Sequence, residues 1–274
     1  MATAATFDDL LDRSNLTGRQ FLIYAGQRLH PGMVLYNSVY AIGWPDLDPK
    51  RFEATWKACV DSCDALRTVV EEVDGIPQQR VLPPFSADVE CVDLRREATP
   101  ARKWIEERLQ RPLVLTERIF DTALIRTGEN DYVWFLHIHH IIVDGAAVQI
   151  LIRRVTELYW GALDKGSRFP QFADHVAGVC RMRQSEKYHA ARTHWLNVLA
   201  QVPETPYFYG VDAFRDTAQE RVVLTLDPPA GKAISTLARS LAVASVSEHA
   251  VMANLFNAVF AAYLSRVRDR KSVV

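Results

Sequence analysis

Apolar residues at Phe52, Trp56, Cys59, Cys63 and Leu66 recur at helical spacing and predict a helix with one buried face. Asp74 to Pro77 then predicts a turn, with a short strand over Gln79 to Leu82. Ala101 to Gln110 predicts a short polar helix. Thr122 to Arg126 and Asp131 to His140 predict two strands joined by a turn at Gly128-Glu129-Asn130. The stripe Val148, Leu151, Ile152, Val155, Leu158, Tyr159 and Ala162 predicts an amphipathic helix. Lys165 to Pro170 reads as a loop, and Ala173 to Leu199 as one long helix. After Pro203 and Pro206 come an expected strand, Arg221 to Leu226, and helices near Ala230 to Leu241 and Ser247 to Arg266. Ser272-Val273-Val274 resembles the start of another strand, so the chain reads as a fragment of a longer domain. This order of strands and helices indicates an α/β class.

Composition narrows the picture by exclusion. The 274 residues carry 32 basic and 33 acidic side chains, a balance that gives no electrostatic reason to expect nucleic acid or an anionic membrane as partner. No apolar run is long enough for a membrane span. Met1 to Asp9 lacks the basic and apolar regions of a secretory signal. The cysteines Cys59, Cys63, Cys91 and Cys180 form no CxxC pair and no zinc spacing. Cys59 and Cys63 are expected to pack as small core residues, and a reducing cytoplasm fits this usage best.

The candidate chemistry lies in His139-His140-Ile141-Ile142-Val143-Asp144-Gly145. Along a strand, neighbouring side chains face opposite ways. Alternation therefore groups His137 with His139, and His140 with Leu136 and Ile138. One histidine is free for chemistry while another is held inside. An imidazole titrates near neutrality and, when neutral, accepts a proton from an amine, alcohol or thiol. The competing reading is that all three are structural; His137 and His139 are better read as packed or hydrogen-bonded. No metal site is expected, because alternation gives only the His137–His139 pair and no nearby carboxylate completes a ligand set. Asp144, directly before a helix, is read as its N-cap. Gly145 permits a tight backbone path and close approach of a ligand.

His139-His140-x-x-x-Asp144-Gly145 resembles the HHxxxDG signature of nonribosomal peptide synthetase condensation domains. These belong to a superfamily with chloramphenicol acetyltransferase and the acyltransferase subunits of 2-oxo acid dehydrogenases. Flanking segments resemble the same family. Leu16-Thr17-Gly18-Arg19-Gln20, then Pro31-Gly32 and Tyr36-Asn37, resembles its opening motif. Asp64-Ala65-Leu66-Arg67-Thr68 resembles "RHExLRTxF", and Phe172-Ala173-Asp174-His175 with Ser185, Glu186, Tyr188 and Trp195 resembles the "YADYAxWQ" region. The departures are Ser62, Cys63 and Asp64 for Arg-His-Glu, Val70 for Phe, and Ile23-Tyr24 for Leu-Trp. They look closer to enterobactin-synthetase-type, siderophore-forming or free-standing enzymes, and leave the residues around Cys63 without a transferable role.

The resemblance implies a chloramphenicol acetyltransferase-like pair of lobes. Residues 1–170 would be the N-terminal lobe carrying the motif, and 171–274 the inter-lobe helix and the start of a truncated C-terminal lobe. It implies acyl transfer from a carrier-bound thioester to an amine, with no cofactor on the domain itself, since substrates ride on the phosphopantetheine of carrier proteins. The partners implied are carrier domains and adjacent synthetase modules. His140 is the implied catalytic histidine, as base or as orienting group. Gly145 would stabilise oxyanion charge through its N–H. His139, Asp144 and Arg67 would be structural, with Arg67 paired either to Asp144 or to Asp64 on its own helix. The alternatives are an epimerisation domain, a coenzyme A-dependent acyltransferase and a non-catalytic truncated lobe.

Overall fold

Alternation along Tyr132–His139 sends Trp134, Leu136 and Ile138 to one face of a sheet and Phe135, His137 and His139 to the other. The computed structural model describes residues 6–96, 100–163, 169–200, 222–241 and 247–269. Its four-stranded sheet runs β1 (Asn37–Trp44), β6 (Tyr132–His139), β5 (Phe120–Arg126), β4 (Glu90–Asp93). β1 and β5 flank β6 antiparallel, while β4 joins β5 in parallel. β2 (Thr68–Val73) and β3 (Ile76–Val81) form a separate hairpin.

The Trp134 face is covered by α3 (Pro49–Ser62) and α5 (Gly145–Trp160). Its centre is a set of edge-to-face rings: Phe52 on Trp134 at 5.3 Å, Trp56 on Trp134 at 5.6 Å, and Trp56 on Phe120 at 5.4 Å. The Trp134 indole N–H donates to Thr122 Oγ1 at 2.9 Å, so burial leaves it satisfied. On the opposite face Phe135, Ala123 and Ile125 pack against α4 (Pro100–Arg108), Phe135 meeting Trp104 edge-on at 5.1 Å. The remaining helices are α1 (Phe7–Arg13), α2 (Gly18–Leu29), α6 (Phe172–Arg183), α7 (Glu186–Leu199), α8 (Pro228–Leu241) and α9 (Glu248–Asp269). Two compact units are present, Met1–Asn197 and Val198–Val274. The sheet, the hairpin and α1 to α6 lie in the first; α8 packs on α9 in the second. Among the described residues no helix is long and apolar enough to cross a membrane.

Several elements differ from those expected. The turn occupies only Asp74-Gly75, both at positive φ (51° and 75°), so Ile76 and Pro77 already belong to β3. The helix expected through Leu66 ends at Ser62, and Leu66 lies in a separate 3₁₀ turn. The single long helix is two, because Ser185 starts a new one: its Oγ accepts the Tyr188 N–H at 3.2 Å. Residues 222–226 form no strand; an extended segment needs a neighbouring ladder, and none is present among the described residues. Arg221, the Pro203–Pro206 connection, Lys165 to Arg168 and the expected last strand lie outside the described residues.

The departures around Cys63 also acquire a structural meaning. Asp64, 3% exposed, accepts the N–H groups of Phe172 (2.7 Å) and Ala173 (2.8 Å) and so caps α6 from a distant part of the chain. Burial pushes the Cys59 thiol up to about 12, so it packs as a neutral group.

Candidate active site

β6 ends at His139, and the next residue already belongs to a turn. Strand alternation therefore sorts His137 and His139 but does not govern His140, contrary to the expectation that it would share a face with Leu136 and Ile138. The sequence turns outward here while staying anchored below. Ile141 and Ile142 are buried in the main core, and His140 and Asp144 are exposed.

The backbone of this turn is held at almost every residue. The His139 N–H donates to the Ile119 carbonyl at 3.1 Å and the His140 N–H to the Tyr36 carbonyl at 2.7 Å. The Ile141 N–H donates to His139 Nδ1 at 3.1 Å, and the Ile142 N–H to the His139 carbonyl at 3.3 Å. The His140 ring bends back on the same turn, with Nδ1 2.8 Å from the Val143 carbonyl oxygen. A carbonyl only accepts, so Nδ1 carries the proton and Nε2 of the neutral ring carries the lone pair. The exposed histidine is thus fixed in the tautomer that can take a proton from an approaching nucleophile.

His139 plays the opposite part. It is fully buried, and because Nδ1 accepts from Ile141 the ring must be neutral. Burial, followed by the charges of His140 and His137, pulls its pKa down from 6.5 to about 4. His137 is equally buried, and burial lowers its pKa against the partial opposition of Asp121. Among the described residues no three His, Cys, Asp or Glu side chains come together as a metal site.

Asp144 caps α5, its Oδ1 accepting the Ala147 N–H at 2.8 Å. Asp144→Ala should cost about 1 kcal/mol of stability, as removal of a helix cap usually does. A thermal melt is the check, with a drop of a few degrees expected; an unchanged melt with lost activity would give Asp144 a chemical role instead. Gly145 is the first residue of α5, so its N–H has no acceptor inside the helix and is oriented as an anion donor would need. Its φ is not in the left-handed region and a Cβ would meet open space, so the backbone path does not require glycine.

The expected Arg67–Asp144 pair is not formed. The Arg67 guanidinium donates instead to the carbonyls of Val60 (3.2 Å) and Leu82. The local alternative, Arg67 to the Asp64 carboxylate, is not formed either, because that carboxylate is committed to α6. Arg67 therefore ties the end of α3 to the end of β3. Two residues that hold the turn had no role in the sequence reading. Tyr36 offers its carbonyl to His140, which no side-chain pattern signals. Gln20 is buried beneath the turn, and its spacing from Thr17 (T-x-x-Q) is the capping-box signal of a helix start.

The Condensation domain family matches residues 12–274. Isonitrile lipopeptide synthase of Streptomyces coeruleorubidus is 29% identical over 247 residues, 86% of this chain and 17% of the relative. Surfactin synthase subunit 1 of Bacillus subtilis is 24% identical over 268 residues, 96% of this chain and 7% of the relative. Among solved structures, the starter condensation domain of rhizomide synthetase superposes with a TM-score of 0.62 at 25% identity, covering 69% of this chain and 48% of that one. The chain thus spans about half the length of that solved domain. With a family match along nearly its whole length and a sheet that delivers the HHxxxDG turn, the chain belongs to the condensation-domain family of nonribosomal peptide synthetases.

Proposed function

We propose that this chain contributes the histidine-bearing lobe of an amide-forming acyltransferase. The observation that carries the reading is the contact of His140 Nδ1 with the Val143 carbonyl, made by an exposed side chain just past the end of a strand bonded on both sides, which leaves the lone pair on Nε2. An amine nitrogen attacks the thioester carbonyl carbon, the C–N bond forms and the C–S bond breaks. The proton lost by the nitrogen passes to His140 Nε2 and then to the departing thiolate, giving an amide and a free thiol. The Gly145 N–H supports the oxygen that becomes anionic when the carbonyl is attacked. Asp144, His139 and Arg67 serve the architecture: Asp144 caps α5, His139 braces the turn, and Arg67 joins α3 to β3.

Donor and acceptor would arrive on the phosphopantetheine arms of carrier domains, as fits a family found in multimodular synthetases such as surfactin synthase subunit 1. Residues 1–170 would form the N-terminal lobe and 171–274 the connection to, and beginning of, the second. A cytoplasmic setting accords with the four free cysteines.

The decisive experiment incubates the protein with a donor carrier bearing an acyl thioester, with and without an amine-loaded acceptor carrier. Amide product on the acceptor, read by intact mass, is expected only when both are present. Inversion of a single loaded residue without an acceptor would replace this reading by epimerisation. Coenzyme A release from acyl-coenzyme A and a soluble amine would replace it by a free-substrate acyltransferase.

A further inference from the structure

The opening motif of the chain lies directly against the His140 turn. Gln20, in the first turn of α2, is 4% exposed, and its Nε2 donates to the carbonyl of Ile141 at 3.2 Å. Ile141 is the residue that follows His140. Its N–H is already taken by His139 Nδ1, so this one residue is gripped from both ends.

The orientation of the Gln20 amide follows from fixed groups on both sides. At one end the Thr17 N–H (3.0 Å) and hydroxyl (3.1 Å) point at Oε1, and a backbone N–H only donates. At the other end the Ile141 carbonyl only accepts, which requires Nε2 there. The amide is then locked by a second one. Gln20 Nε2 donates to Gln79 Oε1 at 3.0 Å, and Gln79 Nε2 donates back to Gln20 Oε1 at 3.3 Å. Gln79 is fixed in turn by Asn15: its Nε2 donates to the Asn15 carbonyl at 2.8 Å, and its backbone N–H to Asn15 Oδ1 at 2.7 Å. The result is a continuous chain of amides from β3 through α2 to the turn. A buried amide that were merely present could be satisfied by any neighbour; this one has each of its hydrogen-bonding atoms assigned.

We propose that Gln20 is a positioning residue for His140, acting through the Ile141 carbonyl to hold the turn in which the His140 ring reaches the Val143 oxygen. The inference rests on the reading of His140 as the proton acceptor and assigns that site a supporting residue on another element. Loss of the Gln20 donor leaves the Ile141 carbonyl without its partner and allows the 140–143 turn to relax, which lengthens the His140–Val143 contact and releases the tautomer.

Gln20→Glu keeps an oxygen for the Thr17 cap and replaces the donor by a second oxygen facing a carbonyl. Gln20→Met removes the donor with no charge and nearly the same length, so the test survives a failure of the first variant to fold. Thr17→Ala weakens the cap of α2 and leaves Nε2 in place. The readout is the ring ¹⁵N shifts of His140 above neutral pH, assigned by comparison with His140→Ala, together with kcat and KM in the two-carrier assay. Wild type should show a single tautomer with Nδ1 protonated. Either Gln20 variant should show a mixture, with kcat lower by on the order of tenfold and KM within about twofold. Thr17→Ala should keep the single tautomer and lose only melting temperature. Unchanged ring shifts in a folded Gln20 variant, or the same mixture in Thr17→Ala, would overturn the proposal. If wild type forms no amide while the ring shifts respond as stated, the functional reading fails and the positioning role stands.

Discussion

His140→Ala should lower the rate of amide formation by about 10²- to 10⁴-fold, the range typical of a positioned acid–base group. The fold should survive it. The His140 side chain is exposed, among the described residues its one hydrogen bond is to the Val143 carbonyl, and the turn is otherwise held by its backbone, by the His139 and Gln20 side chains and by buried Ile141 and Ile142. Loss of one such bond costs about 1 kcal/mol or less. A melt close to wild type with product formation near background, in the two-carrier assay, is the expected pair of results. Activity within a few-fold of wild type would remove His140 from the chemistry. A collapsed melt would show that the ring supports the turn more than it serves the substrate.

The second large effect is on stability at mild acidity. In the unfolded chain His139 titrates near 6.5, whereas burial holds it at about 4 in the fold. Between those values the unfolded state binds the proton and the native state does not, so stability rises with pH across that window. It is complete above about pH 7 and is lost as pH falls from about 6.5 toward 4. At 1.36 kcal/mol per pKa unit this single residue accounts for ~3 kcal/mol. His137 adds to it in the same direction. The chemistry explains why protonation is resisted: a proton on His139 Nδ1 would confront the Ile141 N–H that it now accepts. Urea unfolding at pH 7, 5.5 and 4.5 should show midpoints that fall with pH. His139→Asn, which keeps an acceptor and does not titrate, should flatten that fall. Superimposable midpoints in wild type, or an undiminished slope in the variant, would contradict the assignment.

How much of this was written in the order of residues varies with the kind of contact involved. β6 was legible because its neighbours cover both faces and its apolar run is bounded by a turn. β1 was not: Asn37, Ser38 and Gly43 interrupt its pattern, and it is an edge strand whose residues are mostly half-buried, so neither face is marked. β2 was hidden because its Val69-Val70 follows a helical stripe without a Gly or Pro to announce the change. The Asp144 cap was local and could be read from one dipeptide. Arg67 could not, since its partners are carbonyls brought near by folding. The family motif singled out His140, but its tautomer depends on where the Val143 carbonyl oxygen lies, which only the folded turn supplies.

The place of β6 inside the sheet has a consequence for motion. β6 has β1 on one side and β5 on the other, and the His140 turn continues both connections through the carbonyls of Tyr36 and Ile119. To swing the turn as a body, two ladders must be broken at once, so the backbone beneath the reactive ring belongs to the slowly opening part of the molecule. The ring itself, exposed above it, is tied to the same backbone through the Val143 carbonyl. On the proposed function, a carrier-borne substrate would therefore meet a proton acceptor on a fixed backbone, and gating would come from elements that approach this turn and not from the turn itself.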